Sequence, residues 1–288
     1  MATGEIELSA GPIQFRDQGS GPNIVFVHGL LVDGTLWRKV TPALEQSFRC
    51  VVPDWPLGSH RKPMRSDAEL TPRSVARLVA ELLERLELEE VTLVANDTGG
   101  AITQLLAVDH PPRVARIVLT PCDSFDNFFP PLFRPLQYAA RVPGALDAVV
   151  QPLRIRPLRR LPIAFGWLTK RPVPNEITDA WLHPFFTNPA IRRDTRRFLQ
   201  AIDARQTLEA AGQLRSFDRP VLLAWATEDR VFPYAHAQRL AEILPDATVA
   251  DVPDSYSFVP EDQPELLAQL IAGFISTRAQ ARQTDASR

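Results

Sequence analysis

The residues with most chemical promise lie in the stretch Val91-Thr92-Leu93-Val94-Ala95-Asn96-Asp97-Thr98-Gly99-Gly100. It reads as a short apolar strand that stops abruptly, turns in very few residues and enters a helix near Ala101. A strand feeding directly into a helix lifts the turn residue above the sheet edge and holds it in a strained backbone conformation. Small residues must flank that position, because the two backbones approach closely there. With Ala95 and Gly99 as the small positions, the exposed residue is Asp97. Moving the frame to Thr98 would put the bulkier Asn96 at a small position. A carboxylate held there can act as a nucleophile or as a general acid or base. The bland alternative is an ordinary turn in which Asp97 caps the helix N-terminus.

The elements around this turn follow an alternating pattern. Residues 5–18 alternate apolar and polar as in an opening hairpin. Asn23–Val27 is a buried strand ending in His28-Gly29, and Thr35 to about Gln46 reads as a helix. A strand at 48–52 leads into a proline-rich loop, 55–64. Thr71-Pro72 is a helix start, with apolar residues at helical spacing to about Leu88. Val114–Leu119 is a further strand, ending at Thr120-Pro121-Cys122-Asp123. Alternation breaks after Asp123 and resumes with a strand at 221–225, a helix at 235–244, a strand at 247–252 and a closing helix from Glu261 to about Ser276. The tail from Thr277 reads as polar and frayed. Strands alternating with helices call for a mostly parallel, doubly wound sheet. Residues 1–123 and 206–288 then form one core. Residues 124–205 form an insertion over the carboxyl ends of the strands, where open α/β sheets bind ligands.

Composition narrows the function classes. The 288 residues carry a net charge of −2, so nothing implies a nucleic-acid partner. The N-terminus has neither the basic start nor the apolar run of a signal peptide, and no stretch is long and apolar enough to span a membrane. A cytoplasmic location and no membrane partner are the expectation. Cys50 and Cys122 read as buried free thiols. No cofactor and no metal are expected, and the partner expected is a small-molecule substrate. The insertion is basic: residues 141–200 hold ten Arg and one Lys against four Asp or Glu. A charge-rich face is ordinarily just solvated. Its sharper readings are an anionic substrate group or a self-association surface, that is, a homodimer.

Four features in order make the chain resemble an α/β-hydrolase over nearly its whole length. They are Val27-His28-Gly29, the Asp97 elbow, the cap-like insertion, and Thr227-Glu228-Asp229-Arg230-Val231-Phe232-Pro233 after the resumed strand. Aspartate at the elbow resembles the haloalkane dehalogenase and epoxide hydrolase branch. The chemistry agrees: a carboxylate displaces halide, or opens an epoxide, at an sp³ carbon and forms an alkyl ester. The resemblance implies an oxyanion hole from the backbone N–H groups of Thr98 and of the loop at Leu30 and Leu31. It implies that His28 positions that loop, and that Asp229 orients a histidine base.

That histidine should fall within Val252–Pro260, and the slot holds Ser257, preceded by Tyr256. A serine hydroxyl near neutral pH is no general base. Three readings follow. Another group serves as base, with His60 first among the histidines and Asp123 as its carboxylate partner. Or Asp97 works as a general acid or base in a buried pocket, as a lyase, isomerase or cyclase would need. Or the fold binds a ligand without catalysis. The residue after Asp97 is Thr98 where dehalogenases carry tryptophan, and Tyr138 is the one tyrosine in the insertion where epoxide hydrolases use more. The substrate pocket is expected to draw on His28, Trp55, Tyr138, Trp167, Trp181, Tyr256 and Ser257, and on the phenylalanines of the insertion.

Overall fold

The computed structural model describes residues 2–109 and 111–286. The alternating N-terminal residues form an antiparallel pair, β1 (Ala2–Leu8) and β2 (Gly11–Gln18), and β2 buries every second side chain along its first half. The continuous apolar runs become β3 (Asn23–Val27), β4 (Arg49–Pro53), β5 (Val91–Asp97), β6 (Val114–Cys122) and β7 (Val221–Ala226). They are buried on both faces, as strands covered by helices must be. With β8 (Ala247–Val252) they make one eight-stranded sheet in the order β1-β2-β4-β3-β5-β6-β7-β8. Pairing is antiparallel from β1 through β4 and parallel from β4 to β8. After β3 the chain crosses to β4 on one side and then to β5 on the other. The loops leaving β3 and β5 therefore diverge and open a crevice between them.

The helix expected over 35–46 is broken. A 3₁₀ turn at Gly34–Trp37 is followed by α1, only Thr41–Leu44. Pro42 starts a helix well but cannot sit inside one, because its ring displaces the backbone hydrogen bond of the preceding turn. The helix at Thr71-Pro72 forms as read: α2 (Pro72–Arg85) has a capping box between Thr71 and Ser74. α3 (Thr98–Val108) starts three residues before Ala101, directly at the end of β5.

After β6 the chain forms α4 (Arg134–Ala140), α5 (Ala145–Val150), a run of irregular turns, α6 (Asn175–Thr187) and α7 (Pro189–Ala201). α8 (Ala204–Gln213) packs against α3, and α9 (Tyr234–Ile243) covers β7 and β8. After β8 come α10 (Val259–Asp262) and α11 (Pro264–Ala286). α11 thus runs on through residues expected to form a frayed tail. Among the described residues no helix is long and apolar enough to cross a membrane.

The insertion is fixed to the core by polar bonds made at buried positions. The Trp181 indole N–H donates to the Thr35 hydroxyl at 2.7 Å, and the Met64 N–H donates to Asp194 of α7 at 2.8 Å. The Phe258 N–H donates to the Leu168 carbonyl. Each bond satisfies a group that burial would otherwise penalise.

The junction of β5 and α3 is the tightest part of the fold. A Cβ added at Gly99 would be driven into the carbonyl oxygens of Val27 and His28, and one at Gly100 into the Cys122 side chain. Gly99→Ala should therefore lower stability by on the order of 2–4 kcal/mol, or prevent folding. Gly273→Ala is the control: its Cβ meets nothing within 4 Å, and α11 should gain up to about 1 kcal/mol. Thermal denaturation of the two variants checks this.

Candidate active site

Asp97 ends β5 with φ 55° and ψ −134°, a backbone conformation that costs a non-glycine residue about 1–3 kcal/mol. The strain is held by the close contacts of Gly29, Gly99 and Gly100 around it. Gly29 lies against the carboxylate so closely that any side chain there would collide with it. The Asp97 side chain opens onto a cavity of about 200 Å³ between the sheet edge and the insertion. Leu30 and Leu31 from the β3 loop line it, with Phe129, Phe133, Phe165 and several leucines from the insertion. Among the described lining residues, Asp97 carries the only ionisable side chain; all the others are apolar.

Burial sets the protonation of this site. Desolvation pushes Asp97 up to about 7, against the downward pull of the Thr98 N–H, which donates to Oδ1 at 2.7 Å. The Thr98 hydroxyl lies 3.3 Å from Asp97 Oδ1 and 3.1 Å from Asp123 Oδ2. Asp123 is wholly buried, and burial followed by the Asp97 charge holds it well above the usual carboxylate range. A protonated Asp123 can donate to the Thr98 oxygen while that hydroxyl donates to Asp97. One proton per link satisfies the chain Asp123–Thr98–Asp97. The remaining Asp123 oxygen, Oδ1, has no hydrogen-bond partner.

The loop after β7 supplies the third acid. Asp229 Oδ1 accepts from the N–H groups of Val231 and Phe232, both at 2.7 Å, and from the Ser257 hydroxyl at 3.1 Å. Burial outweighs these bonds and pushes Asp229 up to about 7. Its Oδ2 is buried without a partner, and its charge contributes to raising Asp97. Ser257 is held at both ends: its hydroxyl donates to Asp229, and its carbonyl accepts from the Asn96 amide at 2.7 Å.

Several expected site residues have other work. His28 is neutral, lowered to about 4 chiefly by burial. Its Nε2 accepts from the Trp55 N–H at 2.8 Å, which leaves Nδ1 to donate to the Gly29 carbonyl at 2.9 Å. It shapes the β3 loop, as read from the sequence. Trp55 is fully buried, its indole N–H donating to the Phe26 carbonyl, so it is a core residue rather than a pocket wall.

His60 is not brought to the cavity. The Gly58 N–H donates to its Nδ1, and its Nε2 lies 3.3 Å from Asp194 of α7. Burial lowers its pKa, and Asp194, not Asp123, is its carboxylate partner. His183 is exposed on α6, and His236 lies 3.2 Å from the Ser124 hydroxyl. No described histidine lines the cavity.

Tyr138 is 58% exposed on α4 and does not line the cavity either. Trp181 stands behind the wall, packed edge-on against Phe165 and Phe258. Trp167 and Tyr256 face the Arg230 guanidinium, outside the cavity. Of the two residues expected at an oxyanion hole, Leu30 lines the cavity and Thr98 already gives its N–H to Asp97.

Asn96, Gln104 and Thr120 were missed in the sequence. Gln104 donates to the Asp123 carbonyl at 2.8 Å, and Thr120 donates to the Ala95 carbonyl at 3.0 Å. An amide in the middle of a strand buried on both faces is the signal by which Asn96 could be found, because it must find partners there.

Comparison with known proteins agrees with this fold. The model of the alpha/beta hydrolase fold family matches residues 22–264. Haloalkane dehalogenase 2 of Mycobacterium tuberculosis is 27% identical over 280 residues, covering 92% of each chain. The uncharacterized hydrolase YugF of Bacillus subtilis is 26% identical over 263 residues, covering 88% of this chain and 89% of its own. The crystal structure of haloalkane dehalogenase DbeA from Bradyrhizobium elkani superposes with a TM-score of 0.80 at 22% identity, over 97% of this chain and 99% of that one, and speaks for the fold alone. The chain belongs to the alpha/beta hydrolase fold family, and it is a hydrolase of that fold.

Proposed function

We propose that this hydrolase acts on a small or medium apolar substrate through Asp97 as nucleophile. The observation that carries the reading is that a single carboxylate faces an otherwise apolar cavity from a strained elbow. Such a cavity takes an alkyl group and offers no polar side chain to compete with Asp97 for it. An Asp97 oxygen attacks an sp³ carbon, the bond to halide or epoxide oxygen breaks, and an alkyl ester forms. Attack on an ester or amide would give an anhydride instead, which argues against those substrates.

Release of the ester needs a base to take a proton from water. Asp229 fills that role in this reading. Its pKa of about 7 suits proton transfer near neutral pH, and its Oδ2 has no competing donor. Ser257 stands where the family's histidine is expected and orients Asp229 through Oδ1. The insertion acts as a cap that keeps water from the alkyl group.

A second reading has support in the chain Asp123–Thr98–Asp97, which can hold and return a proton. In it Asp97 works as a general acid without a covalent ester.

The two readings differ in sign with pH. Attack requires the carboxylate, so modification of Asp97 by a reactive alkyl halide or epoxide should rise as pH passes through about 7 and then level off. Peptide mass spectrometry follows it. A rate that falls over the same range favours the acid reading, and no adduct on Asp97 removes the nucleophile. Asp97→Asn should abolish adduct and turnover by at least about 10³-fold. Asp229→Asn should let the adduct form but slow its release by about 10²-fold or more, and release at the normal rate would remove Asp229 as base.

Stability gives an independent check. Both acids are raised above their unfolded value of 3.8. The native state therefore binds more protons between about pH 4 and 7, and its stability falls as pH rises through that window. Asp97→Asn should be near neutral at pH 4 and stabilising at pH 8, with a ceiling of roughly 4 kcal/mol from the displacement between 3.8 and about 7. Urea denaturation at the two pH values measures the difference.

A further inference from the structure

Most of the large apolar side chains exposed among the described residues fall in one stretch of chain. Tyr138, Val142, Val149, Ile155, Leu161 and Ile163 belong to it, and only Leu208 lies outside. Val149, Leu161 and Ile163 are 41%, 46% and 49% exposed and also line the cavity that ends at Asp97. Ile155, between them in sequence, is 59% exposed. The mouth of the cavity is thus an apolar rim open to solvent, where a water-facing mouth would be polar.

The charge of this stretch is mainly positive. Residues 141–163 hold Arg141, Arg154, Arg156, Arg159 and Arg160 against Asp147, a net +4 in a chain of net −2. Arg156 and Arg159 are paired with Asp179 of α6, and Asp147 is paired with Arg192 of α7, so Arg141, Arg154 and Arg160 carry the surplus. Arg160 makes no ion pair among the described residues and opens onto a second cavity of about 200 Å³, lined also by Arg156, Arg159 and Lys170. Phe165 forms a wall of both cavities. A basic recess therefore sits beside an apolar one.

From this arrangement we infer that the cavity mouth docks on an anionic membrane surface, with the apolar rim entering the headgroup region and the arginines meeting lipid phosphates. Exposed apolar side chains beside a basic collar bind interfaces through buried area and through attraction to anionic lipid together. Charge complementarity selects an anionic bilayer over a neutral one. The sequence expectation of no membrane partner rested on the lack of a spanning run, and a peripheral contact needs none. Docked this way, the cavity would open toward the lipid, and an apolar substrate would reach Asp97 without crossing water. The inference rests on the cap surface and not on the chemistry of Asp97.

The test is co-sedimentation of the full chain with vesicles. Binding is expected to vesicles of phosphatidylcholine mixed with phosphatidylglycerol, weak or absent for phosphatidylcholine alone, and reduced by high salt. Arg160→Gln and Arg154→Gln should each weaken partitioning by about fivefold, the usual strength of one basic side chain at an anionic surface. Ile155→Asp should weaken it further, with unchanged melting temperatures showing that the variants fold. Asp97→Asn should bind vesicles like the parent chain, which separates this inference from the catalytic one. Equal binding to both lipid mixtures, no binding to either, or full binding by the variants would overturn it. Self-association in the ultracentrifuge that Ile155→Asp abolishes, without vesicle binding, would overturn it too and assign the face to a second copy.

Discussion

The rest of the site depends on one constraint: a carboxylate held away from water. Asp97 stands at the end of a central strand, with Gly29 packed against its carboxylate and hydrocarbon lining the cavity it faces. Few groups relieve its charge. The Thr98 N–H supplies one hydrogen bond, and no cation is among the groups that set its pKa. Burial therefore governs, and the carboxyl titrates near neutrality instead of near 4. Asp123 and Asp229 are buried within reach of the same field, so three acids share a region that favours fewer than three charges. That crowding favours the protonated form of Asp123.

The Ser257 loop shows how the fold stays ordered without a histidine there. Asn96 reaches across from β5 to the Ser257 carbonyl, and Asp229 takes the Ser257 hydroxyl together with two backbone N–H groups. These bonds fix the loop as a histidine–carboxylate pair would. They leave Asp229 Oδ2 without a partner, and burial raises that carboxyl to about 7. The cost falls on stability at neutral pH, where two buried acids resist ionisation. Active sites commonly accept such a cost.

The fold was legible because its signals are strong and local. Apolar strand runs, the Thr71-Pro72 start and the small residues at Ala95 and Gly99 each have a direct steric or hydrogen-bonding cause. Pro42 defeated the reading of a helix over 35–46, although a proline inside that span was already a warning. At the site, the strained turn at Asp97 was readable from local pattern, whereas His28, also expected in the pocket, is bonded to Gly29 and Trp55 away from the cavity lining. His60 was not readable in this way, because its partner Asp194 lies 134 residues away in sequence and only the folded insertion brings them together. The aromatic residues of the insertion misled in part. Trp181 is a core side chain, while leucines with no chemical signature form much of the cavity wall. Asn96 is too large for a small position of the elbow, and as an amide within a doubly buried strand it must be bonded, which it is to Thr120, Pro121 and Ser257.

Isotope transfer to Asp97 tests the central claim most directly. In a single turnover in H₂¹⁸O, water that attacks an alkyl ester at its carbonyl carbon leaves one labelled oxygen in the Asp97 carboxylate, and the product hydroxyl keeps an oxygen that came from Asp97. Label in the Asp97 peptide and none in the product is the predicted result. Label in the product with an unlabelled Asp97 would show that water attacks the substrate itself and would contradict the nucleophile.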